Sequence, residues 1–160
     1  MQFNDIIKID IDYNKELLLE QANILLGYEK FLDPINNSPI NGWLIKRISD
    51  GYGLTISNFI KEYFNLKDCR PRFYIQEAGV SIPFHKDRST LCSFNFLLSN
   101  SLDPITFRDR SVTYKTALLN TSIDHAVINP KSQRLLFKVS VFDKSFEEIK
   151  NVLPSKLQIR

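Results

Sequence analysis

The stretch RFYIQEAGVSIPFHKD, residues 72 to 87, decides how the rest of the chain is read. It holds an aromatic and β-branched run, a break at Ala78-Gly79, a second short run through Pro83, and then His85-x-Asp87. Two short extended runs joined by a glycine turn are characteristic of antiparallel strands, and the segment has no helical periodicity. The same pattern continues to residue 143, with strands expected over residues 72–77, 80–85, 90–98, 104–109, 111–120, 125–129 and 134–143. No segment between them is long enough for the helical crossovers of a parallel sheet, so seven or eight short strands predict a double-sheet jelly roll or barrel.

Working outward, residues 13 to 32 place apolar residues at helical spacing and run into Pro34, which predicts one helix over that span. Residues 54 to 66 predict a second, with Ile56, Phe59, Ile60, Tyr63 and Phe64 on one stripe. The polar stretch from 33 to 53 reads as a connection, in which Pro39 to Trp43 form an ordered surface loop. After the strands, Ser145 and Glu148 are spaced as a capping box and predict a short C-terminal helix. The expected organisation is one domain over 1–160, with a helical flank at 1–68, a jelly-roll core at 69–143 and a helix and tail at 144–160.

Composition narrows the class of protein more than its function. The 160 residues carry 43% apolar and 24% charged side chains, with twelve Phe and six Tyr, which are values of a globular chain. A net charge of +3 and a pI near 8.8 are too mild to imply nucleic acid or an anionic membrane, and no dense basic patch interleaved with aromatics is visible. The start, MQFNDIIKIDIDYNKE, has neither the basic nor the apolar character of a leader, and no window approaches the ~20 apolar residues of a spanning helix. Cys69 and Cys92 suit reduced thiols better than a disulfide framework, so a cytoplasmic location is expected. Cys92 reads as a buried strand residue, and Trp43 and the phenylalanines as mainly core.

The chain has two histidines. In a strand, residues i and i+2 share a face at about 6.8 Å, so His85 and Asp87 can converge on one ion. His125 opens another expected strand 38 residues beyond Asp87, far enough for the chain to return beside the first pair. Two imidazoles and a carboxylate suit a first-row divalent metal and leave coordination positions open. Arg134 follows nine residues after His125. Its planar donors match a carboxylate bidentately and stay charged when enclosed. Arg88, Arg108 and Arg110 read as solvated loop charges.

The series His85-x-Asp87, His125 and Arg134, on this strand-rich background, resembles the iron(II) and 2-oxoglutarate dependent dioxygenases. FYIQEAGVSIPFHKD is similar to the family's approach to its first ligands. LLNTSIDHAVINPKSQRLLFKVSVF is similar to the segment around the distal histidine in aspartyl/asparaginyl β-hydroxylase-like and prolyl-hydroxylase-like members. The segment SNSLDPITFRDRS departs from the acidic, glycine-rich stretch common in prolyl-hydroxylase-like members. The resemblance implies a mainly β, cupin-like double-stranded β-helix with N-terminal helices. It implies Fe(II) held by His85, Asp87 and His125, with Arg134 on the distal carboxylate of 2-oxoglutarate, and Tyr74 and Asn95 as further residues of the cosubstrate pocket. The implied reaction uses O2 to hydroxylate a protein side chain or small molecule, with conversion of 2-oxoglutarate to succinate and CO2. Two alternatives stay open on the residues alone: a non-catalytic jelly-roll binding module, and a cupin-like protein holding another divalent metal without 2-oxoglutarate.

Overall fold

A computed structural model of the chain describes residues 5–33 and 35–160. Its centre is strand β12 (Arg134–Val141), which pairs antiparallel with β5 (Cys69–Gln76) on one side and β7 (Cys92–Leu97) on the other. β7 continues to β10 (Thr116–Leu119) and then to β1 (Ile6–Lys8), while β5 continues to β4 (Pro39–Arg47) and β3 (Glu29–Leu32), giving a seven-stranded antiparallel sheet. Opposite it lies a four-stranded antiparallel sheet in the order β6 (Ile82–His85), β11 (His125–Val127), β8 (Ile105–Phe107) and β9 (Ser111–Val112). This is the expected jelly roll.

The two faces of the large sheet are built differently, and alternation along each strand is the reason. Leu135, Phe137, Val139 and Val141 of β12 join Phe73 and Ile75 of β5 and Phe94 and Phe96 of β7 in the main core. That core is closed by α1 (Lys15–Ala22), α2 (Gly51–Tyr63) and α3 (Phe146–Lys150), through Leu18, Ile56, Ile60, Phe146 and Ile149. The opposite face looks toward the small sheet. Part of that gap is filled by a second core of Ile6, Leu97, Ile105, Phe107, Tyr114, Ala117 and Leu119. The rest is a cavity of about 560 Å³. A parallel pair of β2 (Asp10–Asp12) with β13 (Lys156–Gln158) ties the two chain ends together. No helix among the described residues is long and apolar enough to cross a membrane.

The region 1–68 departs from a helical flank. The helix expected over 13–32 ends at Ala22, capped at its start by the Asn14 side chain, which accepts from the Leu17 amide at 3.2 Å. Ile24, Leu25 and Leu26, which extend the helical spacing in the sequence, are exposed. Glu29 to Leu32 pair with β4 instead, so pairing to the sheet overrides local helical pattern there. Pro34, the expected terminator, lies outside the described residues. The expected surface loop at Pro39 to Trp43 is the first half of β4, bent at Gly42, whose φ of 81° and whose approach to Val80 both require the absence of a Cβ. The second helix begins three residues earlier than expected, and Asn65 leaves it at a φ of 51°. The capping box of Ser145 and Glu148 forms as expected.

Candidate functional site

His85 and His125 face each other as directly paired residues of β6 and β11. Their rings lie 4.4 Å apart between centroids. Asp87 lies just past the end of β6, where its amide donates to the Thr121 carbonyl at 2.9 Å. The i, i+2 relation expected for one strand is therefore made by a strand end and the turn after it. The Asp87 Oδ1 is 3.2 Å from His85 Nε2 and 3.3 Å from His125 Nε2. One donor atom from each residue falls within 4.8 Å of the others.

The far nitrogens of the rings are also placed. Nδ1 of His85 meets the Pro83 carbonyl and Nδ1 of His125 meets the Ile123 carbonyl, each at 2.8 Å. A carbonyl only accepts, so both Nδ1 atoms carry the proton, and in neutral rings both Nε2 lone pairs point at Asp87 Oδ1. Three acceptors aimed at one point need a cation there, either a proton on a ring or a metal ion. A backbone carbonyl on the non-ligating nitrogen is the arrangement that orients a metal-binding imidazole. The donor set thus fits a first-row divalent ion.

Lys138 is the residue the sequence reading missed. Its Nζ forms an ion pair with the other carboxylate oxygen of Asp87, in a contact where both side chains are mostly buried. Burial pushes the Asp87 carboxyl up, but the Lys138 ammonium and then the two imidazoles outweigh it and hold the group well below the usual carboxylate range. Burial likewise pushes Lys138 down, and Asp87 more than compensates, leaving it raised. The signal was available: Lys138 shares the parity of Arg134 in RLLFKVSV, so an inward arginine implies an inward lysine.

Arg134 does point inward. It is 4% exposed and lines the cavity, with Nη1 donating to Gln76 Oε1 at 3.1 Å. Among the described residues its Nε has no partner and it makes no ion pair to a carboxylate. Gln76 is itself fixed by donating to the Val80 carbonyl at 2.6 Å. Tyr74 and Asn95, on the strands flanking β12, line the same cavity. Asn95 accepts from Ser93 Oγ at 2.7 Å and donates to the Tyr114 hydroxyl at 3.1 Å.

The mouth carries an aromatic wall. Trp43 is half-buried, lines the cavity and stacks on Phe31 at 3.9 Å between centroids, with Tyr74 6.5 Å from Trp43, so it is not a core residue in the ordinary sense. Of the three arginines read as loop charges, Arg108 is exposed, pairs with Asp124 and lies 4.0 Å over the Phe84 ring. Arg110 is tied to Asp5 in a largely buried pair, and Arg88 is exposed at the edge of the cavity. Cys92 is fully buried, its thiol pushed up to about 12 mainly by that burial, and neither cysteine is in a disulfide.

Comparison with solved structures gives the same fold. A prolyl hydroxylase from Trichoplax adhaerens, solved with a hypoxia inducible factor oxygen degradation domain peptide fragment, superposes with a TM-score of 0.70 at 15% identity, over 94% of this chain and 88% of that one. A viral collagen prolyl hydroxylase from Paramecium Bursaria Chlorella virus-1, solved as a 2OG complex, gives 0.59 at 12% identity, over 85% and 94%. A 2OG-Fe(II) oxygenase family oxidoreductase from Burkholderia pseudomallei gives 0.51 at 14%, over 77% and 75%. No family model and no curated protein matches the sequence.

Proposed function

We propose that this chain is an iron(II)- and 2-oxoglutarate-dependent oxygenase that hydroxylates a protein side chain or a small molecule. One observation carries the reading: His85, Asp87 and His125 converge inside the cavity that also receives Arg134, a buried cation without a carboxylate partner among the described residues. The fold shared with prolyl hydroxylases and a 2OG-Fe(II) oxygenase supports it.

In this reading the two imidazoles and Asp87 Oδ1 hold the metal. Bound iron(II) would supply activation of O2 coupled to conversion of 2-oxoglutarate to succinate and CO2. The remaining work belongs to the side chains. The carbonyls of Pro83 and Ile123 keep both Nδ1 protons in place, so the Nε2 atoms stay available as donors. Lys138 occupies the second oxygen of Asp87 and leaves the first to the ion. Arg134 would take the distal carboxylate of 2-oxoglutarate, an anion that satisfies its unpartnered Nε and offsets a charge otherwise costly to bury. Tyr74 and Asn95 would border the cosubstrate, and Phe31 and Trp43 would shield the mouth from water.

The test is an anaerobic titration of the apo-protein with iron(II) and then 2-oxoglutarate, followed by visible charge-transfer absorption. The expected result is a band that saturates near one equivalent and is absent in His125→Ala. An intact fold that binds iron(II) without developing the band on adding 2-oxoglutarate would favour a cupin-like metal protein. No metal binding at all would favour a binding module.

A further inference from the structure

The proposed function leaves one end of the cavity unused. Arg72 on β5 is the direct cross-strand partner of Lys138 on β12, and both line the cavity. Like charges in directly opposed positions repel. Lys138 has Asp87 to offset its charge, whereas Arg72, half-buried, has no hydrogen bond or ion pair among the described residues. Four other arginines are matched by carboxylates: Arg47 with Glu29, Arg70 with Asp68, Arg108 with Asp124 and Arg110 with Asp5. Arg88, one residue beyond Asp87, also lines the cavity and is likewise unmatched among the described residues.

The cavity's own carboxylates cannot serve this end. Asp87 is shared by two histidines and Lys138. Asp33 accepts the amides of Ile35 and Asn36 through Oδ1, in the turn after β3. Arg72 pairs with Lys138 and Gln76 with Arg134, so the backbone rows of the two arginines stand four residues apart, about 13 Å along the strands. An arginine fork half-withdrawn from water and facing a cavity is suited to a planar or tetrahedral oxyanion.

We propose that Arg72, with Arg88 beside it, receives an anionic oxygen group of the primary substrate, a carboxylate or a phosphate, so that the enzyme selects acids over neutral molecules. This rests on the proposed function only for the assignment of the Arg134 end to 2-oxoglutarate. Arg72 is a specificity-determining residue here, set beside Lys138 and four residues along the strands from the cosubstrate clamp.

The experiment follows arginine side-chain and backbone resonances of the full chain, loaded with one equivalent of zinc(II), by NMR. 2-Oxoglutarate is added first, then acetate, inorganic phosphate or acetamide at constant ionic strength, each also titrated without 2-oxoglutarate. The expected result is that 2-oxoglutarate moves the Arg134 Nε–H resonance and that acetate or phosphate saturably moves that of Arg72, whereas acetamide moves neither. Acetate alone identifies a carboxylate, phosphate alone a phosphate. In Arg72→Gln, anion affinity read from backbone amides near Lys138 should fall at least tenfold. Undiminished affinity in that variant would place the anion on zinc or another cation and overturn the proposal. So would an Arg72 resonance indifferent to both anions, or one moved by 2-oxoglutarate itself. If 2-oxoglutarate moves neither arginine, the proposed function fails, while the anion response of Arg72 in its absence still decides this one.

Discussion

The two faces of β12 come from the same eight residues and do opposite things. One face presents Leu135, Phe137, Val139 and Val141 to the helices, in a core where Phe137 meets Phe73 and Phe96 at 5.1 and 5.4 Å between centroids. The other presents Arg134, Leu136, Lys138 and Ser140 to the cavity. Apolar contact on the first face stabilises the fold. On the second, charges are withdrawn from water beside few partners, which costs stability and is tolerated where a ligand completes the set. The difference teaches that fold and site can be perturbed separately on a single strand.

The most severe way to break the contrast is Phe137→Ala. The side chain is fully buried, so the variant should lose about 3–5 kcal/mol of unfolding free energy in urea titration. Its folded fraction should bind zinc(II) with unchanged affinity, because no ligand is touched. A parallel loss of metal affinity would show that the helical face tunes the site.

Next is Lys138→Met, which removes the cation from Asp87 and leaves a mostly buried carboxylate facing two imidazoles. The apo-protein should lose about 3 kcal/mol, reduced from the full cost of a broken buried pair because both side chains keep some exposure. Metal affinity should move the other way, rising about tenfold by calorimetry, since no ammonium charge then repels a cation held at Asp87 Oδ1. Equal losses in both would make Lys138 a structural residue only.

A smaller effect sharpens the packed face. Cys92 sits in the main core with its thiol pushed up to about 12, chiefly by burial. An acid whose folded pKa is raised above its unfolded value, near 8.5 for a thiol, contributes stability that is present below the unfolded value and lost as pH rises toward the folded one. Between pH 8 and pH 10 the wild type should therefore lose about 2 kcal/mol more than Cys92→Ala, measured by urea denaturation of each at both pH values. Identical pH responses would mean that Cys92 ionises as freely in the fold as out of it.

Much of this contrast was legible before the structure. The strands from residue 72 onward alternate or run apolar strongly enough that pairing mostly trims their ends, and His85, Asp87, His125 and Arg134 are brought into one cavity. The exception is the single strand expected over 111–120, which divides into Ser111–Val112, paired with β8 in the small sheet, and Thr116–Leu119, paired with β7 in the large one. What the sequence hid has physical causes. Glu29 to Leu32 and Pro39 to Arg47 are strands because they pair with each other and with β5, a partnership no local pattern encodes. Ile24 to Leu26 mimic a helix that stops at Ala22. The three-residue strands β1, β2 and β13 are too short to carry periodicity, and each exists through a partner remote in sequence. Lys138 and Arg72 were visible as residues but not as a pair, because their opposition depends on register.

The smallest expected change in stability tests the cavity face most directly. Arg134→Met keeps the bulk of the side chain's stem and removes a buried charge whose only partner is Gln76 and whose Nε bonds to nothing among the described residues. Replacing a poorly matched buried cation by an apolar chain of similar length is neutral or stabilising, so the apo-protein should gain between about 0 and 1 kcal/mol. Gln76 retains its bond to the Val80 carbonyl, which limits the cost of the lost partner. Over the same substitution, 2-oxoglutarate binding to the zinc-loaded protein should weaken at least a hundredfold by calorimetry, with zinc affinity unchanged. A variant that is destabilised by several kcal/mol and still binds 2-oxoglutarate would assign Arg134 to the architecture of β12, and would remove the reason for reading its two faces as separate devices.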